Sequence, residues 1–589
     1  MRWHGRGRDE SSGLVGAFRV TIGGSRLSLV VAVAVGLWIP LIHVHWFQSH
    51  EQVTYVVRTM EWAEELRTGH LYPRWAPDLY GGYGEPMFVF FAPAVYAVSG
   101  LLSATFLDPI PALKLIALAS SVLSGVSVYL LIRGETRDPD AAMVGAIAYL
   151  AAPYRLGDLY DRGDLSEFCC LAVLPLVFAL YLAAAREAQP FRARLLAASA
   201  GLAHGVMIMT HTIIGLWGTA LVGLVVGVRV IVLIRRGLWR RTLPLVFALG
   251  CAPGIAAAYI VPAMVYRNVT HVAVMITGFL KPQNQWIFLR TLFDLQYDMF
   301  GRNFMRIGPI VVVAIVMTVL GAALNFKRAR PALAWLSLSL VLVGLTLPGA
   351  LSFWEPGRIP LAQFIQFPWR LLGPGVLCAC LALGMGSAAA ARRLGERPKS
   401  VIAIAGSAAF VLLLAWPHVS ADNYPEGWVP ANADAVRGTV ESTTASDEFL
   451  PLAVSAPPKE PRTELVAAVS HAKTAQVASD GSIHTLSIDA RRPNATVTLA
   501  LYDFPGWSVR TLSGPGNATL EHDEQGLLRV HLPAIGDYEV RVAYGAPPAA
   551  KLGVLISALS LLALGSMLLH ATPFWPRRWP SFSFGSRAS

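Results

Sequence analysis

Stretches of about twenty apolar residues recur along most of this chain, and each can cross a ~30 Å hydrocarbon core as a helix. No other feature narrows the fold as much. Lipid offers the backbone no hydrogen-bond partners, so only helices and closed barrels span it. Composition agrees: of 589 residues, 54% are hydrophobic and 14% charged, with mean hydropathy +0.51, whereas a soluble chain carries roughly 25% charged residues. The expected fold class is a polytopic α-helical membrane protein.

The net charge of +11 comes from arginine clusters in short loops between apolar runs. That is the pattern of cytoplasmic loops, and it points to a lipid bilayer rather than nucleic acid as the partner. Placing every cluster on one side gives about twelve passes. They are Leu27–Phe47, Pro111–Ile132, Ala141–Pro153, Phe168–Ala185, a pair over Leu195–Ile234, and Thr242–Val265. A pair then flanks Lys327, Arg328 and Arg330, one pass ends at Arg392 and Arg393, and Ser400–Trp416 and Leu552–His570 complete the set. Pro86–Phe106 is apolar too, but as a pass it would carry Arg133 and Arg137 to the other side. It is read as a helix in the outer interface.

These spans divide the chain into a basic tail (1–26), a transmembrane domain (27–416) with a first outer loop over 48–110, and an exterior block (417–550). A last helix (551–571) and a second tail (572–589) follow. The N-terminal arginines resemble a signal peptide, but the run behind them is full length and no small-residue cleavage site follows, so a retained anchor is expected. The reading places the protein in a membrane, with the exterior block on the side away from the arginine clusters. Within the exterior block, His484–Asp489, Ala495–Tyr502, Leu527–Leu532 and Tyr538–Tyr544 alternate apolar and polar residues between Gly, Pro and Asn. Period-2 patterning with turn punctuation predicts a small antiparallel β-sandwich. The five cysteines all lie in apolar runs without disulfide or metal spacing.

Ionisable residues at the outer face are the candidates for chemistry, because charge near a membrane is expensive. Glu51, preceded by His50, comes just past the first span. It can act as a base toward a hydroxyl, hold a divalent cation, magnesium or manganese, or simply begin a helix. The second outer segment carries Asp158, Asp161, Arg162, Asp164 and Glu167 within fourteen residues. Asp161 and Asp164 can cap the next helix or pair with Arg155 and Arg162, or some of these groups can join Glu51 over a shared cavity. Arg74 and Arg370 stand beside Trp75 and Trp369, a placement that suits a lipid phosphate and equally an aromatic belt. His211 is read as an intramembrane histidine or part of an acceptor site, and Arg302, Arg306, His271 and Lys281 as weaker phosphate candidates.

His50-Glu51, the run Gly69-His70-Leu71-Tyr72-Pro73-Arg74-Trp75, and Gly82-Tyr83-Gly84-Glu85-Pro86 resemble the signature of bacterial membrane proteins catalogued as "6-pyruvoyl-tetrahydropterin synthase-related". Tyr154-Arg155, Asp158, Tyr160, Arg162 and Glu167 match the same group, as do Gln366–Arg370, Asp447–Pro451 and Phe504–Trp507. By architecture the group is similar to GT-C glycosyltransferases, including a YfhO-like branch. The resemblance implies a hexosyl- or pentosyltransferase that takes a polyprenyl-phosphate sugar and delivers it to an envelope glycan, lipid or protein.

It further implies Glu51 as the carboxylate that activates the acceptor or contacts a metal. Read from the residues themselves, Asp158 and Asp161 are further candidate catalytic carboxylates, and Arg74, Arg162 and Arg370 are candidates for the donor phosphate. His50, Tyr72, Trp75, Tyr83, Glu167 and His211 fall on the acceptor side, and Trp428, Tyr502 and Trp507 are stacking platforms for a glycan. The group usually has Asp where this chain has Glu51. Two other readings compete: a flippase for lipid-linked glycans, which needs ionisable residues through the spans and internal symmetry, and a non-catalytic envelope assembly protein.

Overall fold

The computed structural model describes residues 25–569 apart from 44, 295–304, 356, 359–361, 394, 419–426, 441–442 and 445. The N-terminal arginines before Ser25, together with Arg302, Arg577 and Arg578, lie outside the described residues. Helices follow in the order α1 (Ser25–Gly36), α2 (Gln52–Arg67), α3 (Ala94–Thr105), α4 (Pro109–Thr136), α5 (Pro139–Leu150), α6 (Leu165–Arg186) and α7 (Pro190–Thr210). The second half adds α8 (Thr212–Arg235), α9 (Thr242–Ile255), α10 (Ala257–Tyr266), α11 (Ile310–Gly344), α12 (Leu372–Ala390), α13 (Glu396–Phe410) and α14 (Pro548–Leu569). Proline opens α4, α5 and α7, where its missing N–H costs nothing and its fixed φ suits the first turn.

Among the described residues, eight helices are long and apolar enough to cross a membrane, and the pair α9 and α10, bent by 53°, is apolar enough together to form a broken span or a re-entrant loop. The chain doubles back within α11. Thr318 faces the carbonyl of Ala382 and Gly321 lies on Gly386, whereas Ser339 donates to the carbonyl of Gly375 at 2.8 Å. Contacts that advance along α12 and then return require a reversal, and Asn325 supplies it with a non-helical φ of −156° and ψ of 77°. The two passes expected around Lys327 are therefore the two arms of one element. The expected passes Leu27–Phe47 and Ala141–Pro153 correspond to α1, followed by a further turn of helix at Pro40–His43, and to α5, with 12 described residues in each of α1 and α5. The expected interfacial helix at Pro86–Phe106 breaks at Phe91–Pro93 into Met87–Phe90 and α3, and α3 packs on α2 and the start of α4.

The ends of the helices differ chemically. At one end, Glu135 bridges Arg186 and Arg229 (3.2 Å to the latter), Asp138 holds Lys399 at 2.8 Å, and Asp140 takes Arg26 at 2.5 Å and the Ser400 hydroxyl at 2.8 Å. The opposite end carries the acidic and aromatic loops and the β-module.

That module is a sandwich of two antiparallel four-stranded sheets. Its strands are β1 (Val466–Ser470), β2 (Ala472–Asp480), β3 (Ile483–Ala490), β4 (Ala495–Tyr502), β5 (Trp507–Ser513), β6 (Thr519–His522), β7 (Leu527–Leu532) and β8 (Gly536–Tyr544). One sheet is ordered β1-β4-β7-β6 and the other β2-β3-β8-β5. Leu486 and Ile488 of β3 and Val540 and Val542 of β8 meet Val497, Leu499, Val530 and Leu532 of the other sheet in one buried core. All four alternating runs became strands. The remaining four strands alternate too weakly to stand out, and β5 and β6 bury little on either face.

The module is bolted onto the first loop. Trp75 is fully buried between Trp507 (ring centroids 5.3 Å) and Tyr544 (5.0 Å), and Tyr83 stacks on Tyr502 at 5.4 Å. Glu65 accepts from the Ser482 backbone N–H and hydroxyl at 3.0 and 2.8 Å. Gly84 holds φ at +81°, and any side chain there would strike the Trp75 indole. Trp75, Tyr83, Tyr502 and Trp507 are consequently interface residues, and the acceptor and platform roles expected for them give way to packing.

Removing Trp75 empties an aromatic site wedged between two structural units, and large-to-small core changes of this kind cost ~3–5 kcal/mol. Trp75→Ala is expected to lower the unfolding temperature in detergent and to speed proteolysis of the segment before β1. An unchanged melting curve would contradict the interface role.

Candidate active site

The second polar loop winds through Pro153–Gly157, a wide π-turn over Asp158–Arg162, and Gly163 at φ +71° before α6 begins. Asp164 caps α6, its Oδ1 accepting from the Glu167 N–H at 3.0 Å. The turn throws Arg162 into the middle of the acids. Its guanidinium donates to Asp158, to Glu167 Oε2 at 3.0 Å and to Asp164 Oδ2 at 2.8 Å, while its flat face lies 4.7 Å from the Trp369 ring. Arg370, brought in by the turn Pro368–Leu371, donates through Nε to Glu167 Oε2 at 3.1 Å and through Nη1 to Gln366 Oε1 at 3.0 Å. Tyr55 of α2 donates to Asp164 at 2.7 Å and Tyr154 to Glu167 at 2.5 Å. All these groups are buried.

Charges taken out of water cost several kcal/mol each unless their partners and hydrogen bonds are complete. Here they nearly are. Burial pushes the Asp158 carboxyl well above its usual range, reinforced by Glu167 beside it. Burial acts on Asp164 in the same direction, but Arg162, His211 and Arg370 outweigh it and hold that carboxyl below the usual range. Arg155 does not join the acids. It is buried against Ser124 (3.0 Å) with its face 4.3 Å from the Phe168 ring, so the expected Arg155 pairing is not formed.

Glu51 stands in front of this knot. Its backbone N–H donates to the Arg162 carbonyl at 2.9 Å and that of His50 to the Asp161 carbonyl at 3.3 Å, so the π-turn fixes where the carboxyl emerges. Glu51 occupies the N-cap of α2 without capping it, and its side chain makes no hydrogen bond among the described residues. The carboxyl lines a cavity of about 380 Å³ together with Ser49, His50, Gln52, Trp428 and Thr443. Burial and the nearby Asp164 push its proton affinity up to about 7, against the opposing pull of Arg58, Arg162 and Arg370.

Asp164, Glu167 and His211 form the one described trio whose ligand atoms lie within 4.8 Å of one another. They do not fit a divalent cation. All four carboxylate oxygens already accept hydrogen bonds from Tyr55, Tyr154, the Glu167 N–H or the two arginines. His211 Nδ1 accepts from the Ile214 N–H at 3.0 Å, so the neutral ring directs Nε2–H, not a lone pair, toward Asp164 at 3.8 Å.

Of the expected site residues, Glu51 and His50 line the cavity, and Asp158, Arg162, Glu167, His211 and Arg370 gather behind it. Asp161 contributes the backbone carbonyl noted above. Arg74 lies elsewhere: it donates to the Ala258 carbonyl at 2.9 Å and sits 4.0 Å over the Tyr72 ring, at the module interface. The phosphate role expected for Arg74 and the acceptor role of Tyr72 are not supported by that placement. Sequence reading missed Tyr55 and Arg58. Spaced four and seven residues after Glu51, they share its helix face, and that spacing was the available signal. Arg58 is buried, donates to the Tyr96 hydroxyl at 2.9 Å and to Thr443 at 3.1 and 2.6 Å, and forms no ion pair among the described residues.

No family model and no curated protein matches the chain, so neither the pterin-related label nor the YfhO-like branch gains a match. Solved structures that the chain resembles include the following three. Arabinofuranosyltransferase AftD from Mycobacteria has 17% identity and a TM-score of 0.42 over 68% of this chain and 27% of its own. The Archaeoglobus fulgidus oligosaccharyltransferase has 12% identity and a TM-score of 0.42 over 70% of this chain and 57% of its own. ArnT from Cupriavidus metallidurans, solved bound to undecaprenyl phosphate, has 16% identity and a TM-score of 0.31 over 63% and 78%. The chain thus spans about a quarter of the first and somewhat over half of the second.

Truncating Arg162 strands three buried carboxyls, a change worth ~3–5 kcal/mol. Arg162→Ala is expected to cost that much in thermal unfolding, and Arg162→Lys to recover little, since a point charge cannot reach three partners at once. Full rescue by lysine would show that charge alone suffices.

Proposed function

We propose that the protein is a membrane glycosyltransferase that moves a sugar from a polyprenyl-phosphate carrier onto an acceptor hydroxyl at the module face. The observation that carries this reading is Glu51: a carboxyl engaged in no described hydrogen bond, at the wall of a cavity, with its proton affinity raised to about 7. A base works best when its pKa lies near the working pH. A solvated glutamate at a helix start would have no cause for that shift.

In the step this geometry supports, an acceptor oxygen forms its bond to the anomeric carbon as the carbon–oxygen bond to the phosphate breaks. The bonding pair leaves with the polyprenyl phosphate, and Glu51 takes the hydroxyl proton. The displacement inverts the anomeric centre. Arg370 is the guanidinium we assign to the leaving phosphate, because one of its nitrogens is held by the neutral Gln366 amide, an exchangeable partner. Arg162, tied to three carboxyls, positions Glu51 through its own backbone carbonyl. The scheme is written through the Glu51 carboxyl alone, because the carboxylate oxygens of Asp164 and Glu167 behind it are already engaged. By the positive-inside rule, the module and the site face the periplasm of a bacterial inner membrane.

Donor turnover tests the reading. Full-length protein in lipid is offered a panel of polyprenyl-phosphate sugars, with release of polyprenyl phosphate as the readout. Wild type is expected to turn over at least one donor, and Glu51→Gln to lose ~10²–10⁴-fold in rate, the usual share of a general base. Absence of turnover with every donor in the presence of envelope extract would exclude the transferase.

The pH profile gives an independent check. Glu51 acts only when deprotonated, so kcat/KM should rise through about pH 7 and level off above it. Below that value the rate should fall about tenfold per pH unit. A profile with its acid limb near pH 4 would place the base elsewhere.

A further inference from the structure

The Glu51 cavity has a second wall, supplied by the segment that leads from the membrane domain to the sandwich. This segment is pinned at four points. The Gly427 N–H donates to the Trp46 carbonyl at 2.8 Å, Arg437 pairs with Asp78 at 2.6 Å, Arg58 grips Thr443 through both hydroxyl and carbonyl, and Tyr80 donates to Asp447 at 2.8 Å. Arg58 is itself only 2% exposed. Thr443 is therefore held from behind by a buried guanidinium, and the wall is a built surface rather than a loop lying nearby.

We propose that this cavity is an acceptor subsite for a neutral sugar, with the Trp428 indole as its stacking face and Thr439, Thr443, Thr444 and Gln52 as its hydroxyl and amide contacts. The proposal rests on the transferase reading and names its acceptor class. Three observations support it. The lining holds side-chain hydroxyls and an amide, groups that donate and accept as sugar hydroxyls do, and among the described residues no Lys or Arg lines it, which disfavours a phosphorylated or carboxylated acceptor. Trp428 is 60% exposed at the cavity while Trp75 and Trp507 are spent on the module interface. The electron-rich face of an indole attracts the slightly positive C–H groups on one face of a sugar ring. Finally, about 380 Å³ falls at the small end of ligand clefts, ~300–1,000 Å³, and suits one or two sugar rings better than a folded protein loop. Burial and Arg162 lower the proton affinity of His50 at the rim, so this side chain adds no fixed positive charge.

Saturation-transfer NMR on the full-length protein in nanodiscs tests this directly. The probes are arabinose, galactose, mannose, glucose and their disaccharides, a sugar phosphate, and a Ser/Thr-containing peptide. Neutral sugars are expected to bind at millimolar concentration, with ~10-fold loss in Trp428→Ala, as for an aromatic hot spot, and near-retention in Trp428→Phe. Because Trp428 is largely exposed, its removal leaves the fold intact, and an unchanged melting curve verifies this. Equal binding by Trp428→Ala, no binding of any neutral sugar, or preference for the sugar phosphate or the peptide overturns the proposal. The two readings fail separately. Sugar binding without donor turnover leaves the subsite and removes the transferase. Donor turnover onto peptide alone leaves the transferase and removes the sugar subsite.

Discussion

The arrangement of the membrane end facing the module depends on one buried guanidinium. Arg162 meets Asp158, Asp164 and Glu167 at once, and only a planar fork of donors can do so. Because the charges are out of water, every partner has to be present and aimed. The demand is met from four separate places: the π-turn itself, the start of α6, the Gln366–Arg370 turn, and Tyr55 on α2. Elements far apart in sequence are thereby held in register. Glu51 inherits its position from this, since its backbone hangs on the carbonyl of Arg162.

A second layer of organisation comes from aromatic packing. The first loop does not wave freely above the membrane helices. Its glycines and aromatics form a socket for the sandwich, with Trp75 as the plug between Trp507 and Tyr544. Arg437, Thr443 and Asp447, in the segment that joins α13 to β1, are held beside the cavity by Asp78, Arg58 and Tyr80. At the far end, the acids Glu135, Asp138 and Asp140 tie basic residues of separate elements together, so those ion pairs also staple the bundle.

Conflict between local rules and observed structure concentrates where function is proposed. A glutamate at an N-cap that does not cap and a carboxyl with its proton affinity near neutral both cost local stability. Such departures are tolerated where the surrounding structure over-determines them, and the knot behind Glu51 supplies that support.

The sequence by itself determined the membrane class, the two chemical ends of the bundle and the sandwich. Each of these rests on local regularities: run length against bilayer thickness, charge bias between runs, and alternation along strands. It also brought Glu51 and the 154–167 acids to attention, because charge beside apolar runs is conspicuous. Tertiary structure alone decided which charges meet. Arg162 and Arg370 are over two hundred residues apart yet share Glu167, whereas Arg74, with the same aromatic neighbour in sequence, turns away to Ala258. The reversal at Asn325 and the placement of Trp428 rather than Trp507 at the cavity likewise depend on packing partners far along the chain. Local pattern encodes what a segment prefers. Long-range contacts, which no spacing rule records, determine which segment it meets.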